Sequence, residues 1–251
     1  MRGKLRRVIL DVACHLPFVE SYCAAHAWHA SLPAASALST RRSFACSCAD
    51  AYLHLSRASL GEGQLLPSLR HAKASLRAVP APNPHGHALA ARALLGIARQ
   101  GVREKGRGGK RRKGHKLSDG DSWVGSTADA IDAAASHALS AAQSDLHAAE
   151  IASHWSLLAE ARTMQERWSE ALPAFEAASS LAPADADAIV NLGAALLRLK
   201  RPSEAARHFR RALAMAAGIK RAGRVHVDAD ARTAGKARRG LEMAEHALKT
   251  S

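Results

Sequence analysis

Aromatic rings, acidic residues and long apolar runs are what this chain has least of. Ten of its 251 residues are aromatic, only two of them tyrosine, and none lies between residues 53 and 122. Single-stranded nucleic acid is held by stacking bases on such rings, so that stretch offers no stacking platform. No run approaches the ~18 consecutive apolar residues that a membrane helix requires. Residues 8–19 are apolar, but Asp11, His15 and Pro17 interrupt them and spoil a secretory signal core. The four cysteines, Cys14, Cys23, Cys46 and Cys48, are too sparse for a secreted disulfide scaffold. Cys46-Ser47-Cys48 has no second pair at zinc-finger spacing, so free thiols in a reducing compartment are expected.

What fills the chain instead is alanine, at 57 positions. Alanine is the best intrinsic helix former and strand-favouring residues are few, which predicts an all-helical fold. Small side chains let helices approach closely. They also make a thin core, because each buried alanine removes little apolar surface at ~25 cal/mol per Å². Modest stability is the expectation.

The formal charge of +14 is unevenly placed. Residues 152–219 hold eight Lys and Arg against seven Asp and Glu, while residues 100–117 hold eight basic residues and one acid. The excess therefore belongs to appendages and not to the body of the chain.

Two stretches overlay at a spacing of 34 residues. Trp155, Leu158, Ala159, Ala171, Phe175 and Ala178 stand at the same offsets as Ile189, Leu192, Gly193, Ala205, Phe209 and Ala212, and Pro183 closes the first copy. Each copy carries two apolar stripes at helical spacing, so each predicts a helix pair that buries its faces only against neighbouring pairs. Pro183 falls just past a helix end and Pro202 opens a helix. Pro173, a few residues into its helix, is expected to kink or delay it. A fainter copy spans 49–82, with Tyr52, Leu55, Ser56, Gly63, Ser68, Ala72, Ser75 and Pro80 at the matching positions.

These landmarks resemble the tetratricopeptide repeat family, firmly over 152–219 and loosely over 49–150. The resemblance implies an all-α, right-handed superhelix of stacked antiparallel helix pairs, and a groove, lined by the first helix of each pair, that holds a protein or peptide segment. Carried over residue by residue, the groove would be lined by Ser153, Ser156, Glu160, Asp187, Val190, Asn191, Ala194 and Arg198. Asp50, Leu53, Arg57, His87 and Ala91 would line it in the fainter part. Asn191 is the residue whose amide would both donate to and accept from a bound backbone. The positions with which one subgroup grips a chaperone's terminal carboxylate hold Ser156, Glu160, Asn191 and Asp187 here; only the asparagine fits and the two acids would repel a carboxylate, so that ligand is rejected. A polar peptide of mixed charge suits the groove better.

The organisation predicted along the chain follows from these copies. Residues 1–48 are a basic, disordered tail or, since 21–49 lack any acid and include Arg41-Arg42-Ser43, a transit-like segment. Residues 49–99 are degenerate repeat helices, and 100–125 a flexible basic loop swollen by about two dozen residues at small entropic cost. Residues 126–151 continue the array behind a Ser126-Thr127 cap. Two repeats follow at 152–185 and 186–219. A capping helix ends the chain at 220–251, started by Asp228 or Asp230 and expected to shield the last repeat from solvent.

In the basic loop, Arg103, Lys105, Arg107, Lys110, Arg111, Arg112, Lys113 and Lys116 include a short nuclear-import pattern and could neutralise phosphates without sequence choice. For catalysis the sequence offers no phosphate loop, no Gly-x-Ser-x-Gly and no dinucleotide fingerprint. His85-Gly86-His87 and His226-x-Asp228-x-Asp230 are the weak metal candidates in a chain of 14 histidines. The reading is therefore a monomeric, non-catalytic adaptor without cofactor or metal, cytoplasmic or nuclear, or in a plastid or mitochondrion if the N-terminal segment is a transit peptide. Its alternatives are a nucleic-acid-associated or nuclear scaffold acting through loop 103–116, or an accessory repeat region of a larger enzyme.

Overall fold

A computed structural model describes residues 34–79, 83–106, 126–144, 148–221 and 227–250. Among the described residues there are nine helices and no strand: α1 (Ala34–Gly61), α2 (Leu65–Ala78), α3 (Pro84–Gly106), α4 (Thr127–Ala142), α5 (Ala148–Met164), α6 (Trp168–Leu181), α7 (Ala186–Arg198), α8 (Pro202–Arg221) and α9 (Val227–Lys249). The fold is an all-α solenoid of antiparallel helix pairs. The chain divides within α4, between Ala133 and Ala134, into two compact units.

In the first unit α1 packs on α2, and α3 on both. The α1–α2 contact is made by serine. Ser56 Oγ donates to the Ser68 carbonyl at 2.9 Å, Ser68 Oγ donates to the Ser56 carbonyl at 2.9 Å, and both side chains are fully buried. Two small hydroxyls that satisfy each other's backbone let the helices approach without leaving a polar group unpaired. These are the positions that Gly193 and Ala205 hold in the strongest repeat, and α1 and α2 meet there. Asn83 then links the pair to α3. Its amide nitrogen donates to Ser75 Oγ at 2.9 Å, and its carbonyl accepts from the Gly86 N–H at 2.9 Å.

In the second unit α5 packs on α6, α6 on α7, α7 on α8, and α9 on both α8 and α7. Buried alanines form the close contacts, and Phe175, Ile189, Leu196 and Phe209 supply the bulk. His154 is buried on α5 and its Nδ1 lies 3.2 Å from the Ala141 carbonyl of α4.

The turns within the pairs share one construction. Gly63, Glu166 and Lys200, at the same offset from residues 49, 152 and 186, take left-handed φ values of 76°, 61° and 58°. In each turn the next N–H reaches back to an earlier carbonyl: Gln64 to Ser59, Arg167 to Arg162 and Arg201 to Leu196, at 2.8, 3.0 and 2.9 Å. This is the hydrogen-bonded helix stop that glycine favours. A side chain there costs about 1–2 kcal/mol, against a loss of about 0.5–1 kcal/mol when glycine adds freedom to the unfolded chain. Lys200→Gly should therefore raise stability by about 0.5–1 kcal/mol in a denaturant titration. A loss would contradict the strain argument.

Several boundaries differ from those read in the sequence. Helix α1 begins at Ala34, upstream of residue 49, so 34–48 is helical and not a disordered tail. Cys48 is disulfide-bonded, which corrects the free-thiol expectation for that residue. Helix α3 continues through Gly101 to Gly106, placing Arg103 and Lys105 in a helix and not in the loop. Gly101 is no stop signal: a Cβ there would stand 2.8 Å from Thr127 Oγ1, so glycine is what admits the start of α4. Ser126 caps α4 as expected, accepting from the Asp129 N–H at 3.2 Å while Asp129 accepts from the Ser126 N–H. Pro173 lies inside α6 and does not delay it. Helix α9 starts at Val227, so Asp228 and Asp230 fall in its first turn and not ahead of it.

Candidate protein-binding groove

Helix α7 carries the clearest surface. Asp185 starts the helix, its carboxylate accepting from the N–H groups of Asp187 and Ala188 at 2.9 and 3.3 Å. Beyond that cap, Ala188, Ile189, Leu192, Ala195 and Leu196 are buried, while Asp187, Asn191, Ala194 and Arg198 lie on the open side. These four positions follow at steps of four, three and four, and so form one continuous stripe. Val190, assigned to the lining by the repeat pattern, is only 4% exposed and belongs to the core. Its apolar, β-branched side chain follows the buried stripe, so it offers nothing to a partner.

The ends of the stripe are held by neighbours. Asp187 Oδ1 lies 3.5 Å from Lys236 Nζ on α9. The Arg198 guanidinium sits 5.4 Å from the centre of the Trp168 ring, a cation–π contact with the start of α6. Between them the Asn191 amide has no hydrogen-bond partner among the described residues. On α5, Ser153, Ser156 and Glu160 are all half-buried. The Ser153 hydroxyl already donates to the Glu150 carbonyl at 2.8 Å, which leaves it an acceptor. Neither Lys236 nor Trp168 belonged to the expected lining. The first lies beyond the last repeat, and the second sits at a turn position that the family pattern does not mark.

The first unit offers a weaker version. Asp50 and Arg57 are exposed and His87 is half-buried, but Leu53 and Ala91 are core residues and drop out of the expected lining. Burial holds His87 below the ordinary histidine value, and burial together with the nearby Arg57 lowers Arg92. On α8, burial first and then Arg211 and Arg207 hold His208 below the ordinary histidine value.

Of the basic loop, Arg107, Lys110, Arg111, Arg112, Lys113 and Lys116 lie outside the described residues, as does His226. Among the described residues no three His, Cys, Asp or Glu side chains gather as a metal site, and no helix is long and apolar enough to cross a membrane.

Comparison with known proteins agrees with this architecture. Residues 150–217 match the sequence profile of the tetratricopeptide repeat. No curated protein sequence matches the chain. Among solved structures, a thermophilic TPR protein of Thermus thermophilus, TTC0263, is 18% identical with a TM-score of 0.51, over 75% of this chain and 80% of that one. The MamA protein is 15% identical with a TM-score of 0.47, over 80% and 86%. YrrB, described as a TPR protein with an unusual peptide-binding site, is 15% identical with a TM-score of 0.44, over 80% and 92%.

Proposed function

We infer, for a chain that belongs by its repeats and fold to the tetratricopeptide repeat proteins, that it is a non-catalytic scaffold holding a protein segment against the open face of α7. One observation carries this reading: Asp187, Asn191, Ala194 and Arg198 form an unbroken stripe on that face, and the Asn191 amide has no hydrogen-bond partner among the described residues. An extended backbone has donors and acceptors in alternation, and an asparagine amide matches both.

Asn191→Ala should weaken capture of native partners about tenfold, the value of roughly one well-made hydrogen bond at an interface. Because the side chain is exposed, thermal stability should hold within about 0.5 kcal/mol. Affinity purification from the native cell, intact chain against Asn191→Ala and Asp187→Lys, measures this. Partners retained equally by all three baits would end the groove reading.

The eight-to-one excess of basic residues in 100–117 favours a second reading, in which that segment contacts nucleic acid or import factors. Deleting 103–116 separates the two. RNA affinity that falls steeply with salt and disappears with the deletion would assign the function there. Partners that survive the deletion and fall away with Asn191→Ala would assign it to α7.

A further inference from the structure

Two ion pairs and one ring define how α9 lies on its neighbours. Lys236 faces Asp187 of α7 at 3.5 Å, and Arg210 of α8 donates to Glu245 Oε1 at 2.9 Å. The Phe209 ring of α8 touches Gly193 of α7 and Gly240 of α9. Asp187 precedes Gly193 as Lys236 precedes Gly240, so α7 and α9 run in the same direction. Ala194 lies seven residues beyond Asp187 and Met243 seven beyond Lys236. The two therefore lie at roughly the same level, about 10 Å further along the helices.

The side of α9 that meets Asp187 is a mixed stripe. Lys236, Arg239 and Met243 follow at helical spacing on that side, while Glu245 turns toward α8. Met243 is 58% exposed, the most exposed large apolar side chain among the described residues. Arg239 and Arg198 make no ion pair among the described residues. Asp187, the carboxylate of α7 on this side, is met by Lys236. The trough thus presents an apolar spot flanked by cations whose charge is not cancelled.

We propose that the trough between α7 and α9 takes an acidic protein segment carrying an apolar anchor. This deepens the groove reading above and rests on it. The anchor packs on Met243 beside Ala194, since a thioether adapts to varied apolar shapes. Acidic side chains on either flank face Arg239 and Arg198, and Asn191 meets the backbone. A basic segment is repelled by the same cations. A single-stranded nucleic acid finds no open ring to stack on among the described residues of the trough, where Trp168 is taken by Arg198. The terminal helix is then part of the binding surface and not only a cover for the last repeat.

The test is selection of a displayed library of random peptides on the full chain, followed by titration of the enriched peptides. The expected winners combine acidic residues with a large apolar one, and lose about tenfold in affinity with Arg239→Glu or Met243→Ser. Arg238→Glu makes the same charge change elsewhere on the surface of α9 and should leave affinity within about twofold. Winners without acidic bias, or insensitive to the α9 substitutions yet lost with Asn191→Ala, overturn this proposal and leave the groove reading standing. No winners at all overturn both. Loss of oligo(U) binding rather than peptide binding on Arg239→Glu would replace the acidic segment by nucleic acid. Circular dichroism of each variant shows whether the fold is kept.

Discussion

Phe209→Ala should lower unfolding free energy by about 3–5 kcal/mol, the range for removing a buried aromatic ring. The ring is 1% exposed, and its neighbours Gly193 and Gly240 have no side chains to move into the space it leaves. Sites that collapse poorly lie at the upper end of that range. The ring belongs to α8 but touches α7 and α9, so the loss should not stay local. Amide exchange in α9 should accelerate more than in α5 or α6, because Gly240 of α9 packs directly on this ring and the two ion pairs of α9 with α7 and α8 are exposed. Such pairs are worth little each. A loss under about 1 kcal/mol would mean that α7 and α9 close over the gap, and that the glycines are not there to admit the ring.

The same contact shows what could be read in the sequence and what could not. Gly193 and Phe209 stand at fixed offsets in a period of 34, and their meeting follows from that period. Ser56 and Ser68 could be placed the same way, although their chemistry is different. Where the Phe209 counterpart shrinks to Ala72, the helices are joined by hydroxyls that satisfy each other's carbonyls. Gly240 lies outside the period, because α8 runs 20 residues where α6 runs 14, and α9 starts only at Val227. Its role could not be seen, and with it went the alignment of α9 on α7 and the Lys236–Asp187 pair. Gly101, in the stretch read as loop from residue 100, is a related case. Propensity makes glycine a helix stop, but a tertiary contact with Thr127 made it a helix interior. Val190 was misplaced because the family pattern marks positions, while burial depends on which side chain stands there. Of the candidate site, the α7 stripe was legible from helical spacing, and its ion-pairing and stacking partners were not.

Gly240→Ala sets two known effects against each other, and the structure decides the sign. Glycine within a helix costs about 1 kcal/mol relative to alanine, so propensity alone predicts a gain. A Cβ at Gly240, however, would overlap three atoms of the Phe209 ring more closely than real contacts allow. The ring cannot swing aside, because Gly193 approaches it as well: a Cβ there would meet Cε1 at 2.9 Å. Overpacking of this kind costs about 1–3 kcal/mol. The net expectation is a loss of about 1–2 kcal/mol, with α9 displaced from α7 and α8. Gly235, one turn and a residue earlier on the same helix, is the internal control. A Cβ there meets only Arg239 Nη1 at 3.7 Å, so Gly235→Ala should gain up to about 1 kcal/mol from propensity. Combining Gly240→Ala with Phe209→Leu should recover part of the loss, since a smaller side chain leaves room, and the coupling between the two should reach about 1 kcal/mol. Equal gains from both alanine substitutions would show that α9 rides loosely over Phe209. In that case Lys236 and Met243 would not be held beside α7, and the trough would lose its second wall.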